Sequence, residues 1–176
     1  MSDHVNPLAA DLDHIVGRVG SRWESLRGAR VFVTGGTGFV GRWMLESIVA
    51  ADERLDLGVR VVALSRDPAR FLASAPHLGI ARALEFVAGD MRAFEFPEGE
   101  FTHVVHMATE TNTELALRRP SLEFDTAIVG TRRILDFCRE RGVARTLYTS
   151  SGAVYGKQPP EITRVSEDTP IAPPAH

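Results

Sequence analysis

The chain has 176 residues, a formal net charge of −3 and 44% hydrophobic residues, enough for one domain with a real core and ordinary for a soluble globular fold. That balance gives no reason to expect nucleic acid or an anionic membrane as a partner, and no apolar run approaches the ~20 residues that a bilayer requires. The single cysteine, Cys138, rules out a disulfide within the chain, and the N-terminus lacks a charged-then-apolar leader pattern, so a cytoplasmic protein is expected.

Residues 8–26 place Leu12, Ile15, Val16, Val19, Trp23 and Leu26 at helical spacing. This predicts an amphipathic helical extension over residues 1–27, packed on a sheet edge or a neighbouring helix, or else presented to a partner. A β-branched strand follows at Arg30–Thr34 and runs into Gly35, Gly38 and Gly41, three residues apart. Behind the glycines, Val40, Met44, Leu45, Ile48 and Val49 give a helix over Phe39–Ala51. A strand, a glycine-rich turn and a helix in that order form a dinucleotide-binding turn. Glycine lets the backbone approach a pyrophosphate, and the helix start directs its free N–H groups at the phosphates. The candidate contacts are Gly35, Thr37, Gly38, Phe39, Val40 and Gly41.

Four more strands are predicted, at Val59–Ser65, Leu84–Ala88, His103–Met107 and Arg145–Ser150, with helices at Ala69–Ala75 and Leu122–Arg141. The last helix is expected to carry Ile128, Leu135 and Cys138 on its core side and many arginines on the other, with Gly142 as its cap. Such alternation predicts an α/β fold, a doubly wound parallel sheet over residues 28–156. Residues 157–176 are proline-rich and without periodicity, which reads as a loop leaving the fold.

Ligands in such a sheet lie beyond the carboxyl ends of the strands. After the second strand, Ser65 stands where an acid would bind a ribose 2′-hydroxyl, and Arg66 follows. The pair favours a 2′-phosphate, hence NADP over NAD, although Arg66 can equally stay solvated and Asp67 can turn in. After the third strand, Asp90 and Met91 reach the adenine end, Asp90 as an acceptor or simply as a turn cap. After the fourth come His106, a structural imidazole more readily than a catalytic one, and then Met107, Ala108 and Thr109, two of them small enough to let a cofactor lie across the strand end. After the fifth come Thr149, Ser150 and Ser151, whose hydroxyls either hold a substrate oxygen over the nicotinamide or only shape a turn. No cysteine–histidine cluster has metal-ligand spacing, and no G-x-S-x-G elbow suggests a hydrolase.

Five motifs together resemble the extended short-chain dehydrogenase/reductases, specifically the NAD-dependent epimerase/dehydratase group that acts on nucleotide sugars: TGGTGFVG (Thr34–Gly41), GD (Gly89, Asp90), HMAT (His106–Thr109), GT (Gly130, Thr131) and TSSGAVYG (Thr149–Gly156). The resemblance runs from Arg30 to the end. It implies a Rossmann domain holding NAD(P), a smaller C-terminal domain for the sugar nucleotide, and catalysis by a Ser/Thr with a Tyr-x-x-x-Lys pair. It assigns the catalytic hydroxyl to Ser151, an adenine contact to Asp90, and cofactor contacts to Ala108 and Thr109.

Three positions depart from the pattern. Ala127 replaces an asparagine, Ser65 replaces the ribose-binding acid, and no Tyr-x-x-x-Lys pair is present, since Pro159 stands four residues after Tyr155. The expectation is therefore the N-terminal, cofactor-binding part of a longer epimerase, dehydratase or reductase, cut before its catalytic helix and substrate domain. Its expected partner is a nucleotide-sugar substrate, and its oligomeric state stays open, a homodimer of the longer protein included. The alternative is a non-catalytic NAD(P)-binding regulatory or sensor module.

Overall fold

In the first strand, β1 (Arg30–Thr34), Val31 and Val33 belong to one apolar cluster and Phe32 to another, and all three are buried. A strand that is apolar on both faces has to be central and covered on both sides. The computed structural model, which describes residues 7–109 and 117–169, places it there. β1 pairs in parallel with β2 (Arg60–Ser65) on one side and with β4 (His103–His106) on the other. β3 (Leu84–Ala88) and β5 (Arg145–Tyr148) form the edges, giving the order β3-β2-β1-β4-β5. This is a Rossmann-type doubly wound sheet, and its order reverses between β1 and β4, where such sheets bind ligands.

One face is covered by α1 (Ala9–Val19) and α2 (Phe39–Leu55), whose Leu12, Val16, Leu45 and Ile48 pack with Val31, Val33, Val61 and Ala63. Near the β3 edge, α3 (Pro68–Ser74) and α4 (Pro76–Gly79) pack Phe71 and Leu78 against Val49 of α2 and against Phe86. On the opposite face α5 (Pro120–Asp125) runs through a π-helical turn, Thr126–Gly130, into α6 (Thr131–Glu140). There Phe32 lies with its ring centre 4.6 Å from that of Phe137 and 5.3 Å from that of Phe94, the middle of an aromatic cluster that Phe101 completes.

Two expectations change. The predicted helix over residues 8–26 is α1 followed by a 3-10 segment, Gly20–Leu26, and both the Gly20 N–H and the Trp23 indole N–H donate to the Val16 carbonyl. Of the three residues expected on the core side of the last helix, Cys138 is half-buried and packs against the cluster of Ile134 and Phe137, which are buried, whereas Ile128 and Leu135 are each 55% exposed. Ile128 and Leu135, seven residues apart, do share a face, but it is the exposed one; Ile134 and Phe137 form a second apolar pair on the same helix, and that pair takes the core. Arg132 and Arg139 face outward, while Arg133 donates to the Phe94 carbonyl and lies 4.5 Å over the Phe96 ring, and Arg141 donates to the Pro97 carbonyl.

α2 extends to Leu55 and α4 is an addition to the predicted elements. Residues 157–169 form turns without helix or strand, and no helix among the described residues is long and apolar enough to cross a membrane.

Candidate active site

Three backbone constraints build the site. Gly35 ends β1 at φ 74°, and a Cβ there would sit 2.6 Å from the Met107 carbonyl carbon, so the turn and the end of β4 are in backbone contact. A Cβ on Gly41 would sit 2.1 Å from the Gly35 carbonyl oxygen, so α2 can begin this close to the turn only with glycine in its first turn. Gly38 is the N-cap of α2 and supplies no capping side chain. Three N–H groups, those of Phe39, Val40 and Gly41, therefore open a 17-residue helix without a side-chain acceptor. Phe39 and Val40 are 83% and 63% exposed, which leaves the positive end of the helix open.

The turn forms one wall of a crevice of about 710 Å³ across the carboxyl ends of the strands. The structure brings every proposed cofactor contact to it: Gly35, Thr37, Gly38, Phe39, Val40 and Gly41 from the turn, Ser65 and Arg66 after β2, Asp90 and Met91 after β3, Met107, Ala108 and Thr109 after β4, and Thr149 and Ser150 after β5. Ser151 is not among the lining residues. It caps the 3-10 turn Gly152–Tyr155, its Oγ accepting the Ala153 N–H at 3.2 Å. Arg92 and Thr126 also line the crevice and were not foreseen. Arg92 could have been read from its place two residues after Asp90, where an arginine can fold back on the carboxylate. Thr126 carries no such signal.

At the β2 end, Ser65 Oγ accepts the Asp67 N–H at 3.2 Å, and Asp67 in turn caps α3 by accepting the Arg70 N–H at 2.9 Å. One Asp67 carboxylate oxygen, Oδ1, thereby caps the helix. At the β3 end, Arg92 grips Asp90 with Nε at 2.9 Å from Oδ1 and Nη2 at 2.8 Å from Oδ2, and its own N–H reaches Oδ1 at 2.8 Å. These Arg92 hydrogen bonds hold the Asp90 carboxyl at about 2 against partial burial, with the Arg66 charge adding to them. Three of roughly four acceptor positions are filled, so an Oδ2 lone pair stays open for a donor.

His106 lies beneath the crevice, 2% exposed, and burial pushes its imidazole toward the neutral form. The described residues include no group of histidine, cysteine, aspartate and glutamate able to hold a metal ion. A pyrophosphate fits the bare helix start and the glycine cradle, a ribose the Ser65–Arg66 shelf, and an adenine amino group the open Asp90 lone pair. The residues present thus fit a dinucleotide.

The sequence model of the NAD dependent epimerase/dehydratase family matches residues 31–176. Among curated proteins, the chain is 29% identical over 150 residues to a UDP-glucose 4-epimerase of Streptomyces lividans, covering 82% of this chain and 42% of that protein. It is 32% identical over 149 residues to a dTDP-glucose 4,6-dehydratase of Mycobacterium tuberculosis, covering 82% of this chain and 43% of the other. Among solved structures, the UDP-glucose 4-epimerase of Thermus thermophilus in complex with NAD aligns with a TM-score of 0.60 at 27% identity, over 82% of this chain and 44% of that one. The chain thus spans less than half the length of these relatives.

Proposed function

The chain belongs to the NAD dependent epimerase/dehydratase family of extended short-chain dehydrogenase/reductases, and from that premise we propose that it is the cofactor-binding portion of an NAD(P)-dependent enzyme that modifies nucleotide sugars. The observation that carries this reading is the crevice over the switch point, where an uncapped helix start, a basic shelf and a small-residue strand end meet in one place. The proposed substrate class, a sugar joined to a nucleoside diphosphate, is supported by the similarity to a UDP-glucose 4-epimerase and a dTDP-glucose 4,6-dehydratase.

The cofactor, when bound, supplies hydride acceptance and return at a sugar carbon. This chain's residues bind and orient it. The Phe39, Val40 and Gly41 N–H groups meet the pyrophosphate, Asp90 accepts from the adenine, and Met107, Ala108, Thr109, Thr149 and Ser150 flank the nicotinamide end. Ser65 and Arg66 favour the 2′-phosphorylated form, NADP. Support for that preference comes from the Arg66 guanidinium on the lining of the crevice and from Ser65 in place of an acid. Ser151 is assigned the donor to the reacting sugar oxygen: its Oγ accepts the Ala153 N–H, which leaves its hydroxyl proton to be donated.

Calorimetric titration of the purified chain with NADP and with NAD tests the reading. Saturable binding with NADP the tighter ligand is expected, and binding of neither would overturn it.

A further inference from the structure

A hydrogen-bonded relay runs beneath the crevice. His106 Nδ1 lies 2.6 Å from Thr34 Oγ1, and its Nε2 lies 3.2 Å from Thr131 Oγ1. Thr34 Oγ1 also receives the Ala108 N–H at 3.3 Å, while the Thr34 carbonyl takes the Met107 N–H at 3.1 Å. One imidazole thus joins three elements: the end of β1 where the glycine turn begins, the end of β4, and the first residue of α6. Met107 and Ala108 line the crevice, and the π turn that leads to Thr131 contributes Thr126 to its rim.

The partners constrain the proton positions. Thr34 is fully buried, so its hydroxyl proton needs an acceptor, and among the contacts of the described residues Nδ1 at 2.6 Å is the one able to serve. That pairing goes with the tautomer in which Nδ1 carries no proton and Nε2–H donates to Thr131. A charged ring would donate from both nitrogens and leave the Thr34 proton without a partner. The Tyr148 ring, edge-on with its centre 5.3 Å from that of the imidazole, screens the relay on the β5 side.

We propose that His106 is a positioning residue that sets the width of the cofactor crevice by tying the glycine turn to the end of β4 and to the start of α6. The inference deepens the proposed function and rests on its assignment of the crevice to a nicotinamide cofactor. His106 does not line the crevice, so it acts through Thr34, Ala108 and Thr131 rather than by touching the ligand.

Three measurements on the full 176-residue chain test it. Ring-nitrogen NMR is expected to show Nδ1 bare and Nε2 protonated from mildly acidic to alkaline pH. Amide exchange is expected to quicken at Met107 and Ala108 in His106→Leu, and His106→Asn, whose carboxamide reaches the Nδ1 position, to restore protection at Ala108. NADP affinity is expected to fall about tenfold in His106→Leu, less in Thr131→Val, and to recover in His106→Asn. Leu12→Ala, in the opposite core, is expected to lower the melting temperature without weakening NADP, which separates positioning from general stability. If His106→Leu does not fold, Thr131→Val and His106→Asn carry the test alone. The opposite tautomer, or unchanged exchange and affinity in folded variants, would overturn the proposal. Failure of the wild-type chain to bind NADP or NAD would instead remove the functional reading, and the tautomer and exchange results would still decide whether the relay exists.

Discussion

Asp90 and Arg92 form a bidentate ion pair at the crevice rim, two residues apart in sequence and joined by 2.9 Å and 2.8 Å hydrogen bonds. The carboxyl sits lower in the folded state, at about 2, than in an unfolded chain, at about 4. The unfolded state therefore binds the extra proton between those values, so the pair's stabilisation is complete above about pH 4 and is lost as pH falls toward 2. The Asp90 side chain is 38% exposed, so the contribution is small, under about 1 kcal/mol. Asp90→Asn is expected to flatten this part of the acid limb in urea midpoints measured against pH, and an unchanged slope would show that Arg92 does not hold the carboxyl down.

Arg66→Ala should weaken NADP by about 1.5–3 kcal/mol, the worth of a hydrogen bond to a charged group, and leave NAD unaffected. Calorimetry with both cofactors reads this directly. Equal losses for the two would move Arg66 from the 2′-phosphate to a part of the ligand they share.

Gly41→Ala places a methyl group 2.1 Å from the Gly35 carbonyl oxygen and 2.6 Å from Gly36 Cα, both backbone atoms that cannot swing aside. The turn must open, at a cost of about 1–3 kcal/mol or more. Cofactor binding should vanish even where the variant still folds. Wild-type affinity in this variant would mean that the turn is not where the pyrophosphate lies.

Phe137→Ala is expected to cost about 3–5 kcal/mol, since the ring is fully buried in the aromatic cluster. Leu135→Ala, two residues away and 55% exposed, should change stability by less than about 0.5 kcal/mol. Denaturant unfolding of both variants checks which face of α6 is inward.

This contrast marks how far the sequence could be read. Strands separated by helical patterns announced the parallel sheet, because their signals are local and the central strands β1 and β2 are apolar on both faces. Most of the crevice residues were legible for the same reason: they stand at strand ends, which the topology alone gathers, whereas Arg92 and Thr126 were not. The inward face of α6 was not, since the stripe with Ile128 and Leu135 and the stripe with Ile134 and Phe137 are both apolar, and only the packing against Phe32 and Phe94 decides between them. The relay through His106 was equally hidden. It depends on Thr34 and Thr131 meeting one ring, a coincidence of three elements that no spacing encodes.

The purified chain is expected to bind cofactor without converting UDP-glucose or dTDP-glucose. Its two tyrosines, Tyr148 and Tyr155, are followed four residues later by Gly152 and Pro159, so neither belongs to a Tyr-x-x-x-Lys pair. Proton transfer by such a base contributes roughly 10²–10⁴ in rate. Product analysis by chromatography, with nicotinamide absorbance followed alongside, tests this. Turnover by the verified chain would show that a base is supplied from within these residues.

The position of β1 sets an order of assembly. Its neighbour β2 arrives after a single helix, whereas the pairing of Thr34 with His106 on β4 closes a separation of 72 positions. During synthesis the segment from β1 to β3 is complete and able to collapse while β4 is still being made, since chains emerge and fold from the N-terminus. In that interval one side of the central strand is an open edge, with a row of unmet N–H and C=O groups and bare valines beside it. The ligand crevice, which lies over the junction of β1 with β4, is then the last feature to form. A nascent chain of this protein is therefore most vulnerable to mispairing before it is able to bind the molecule that would stabilise it.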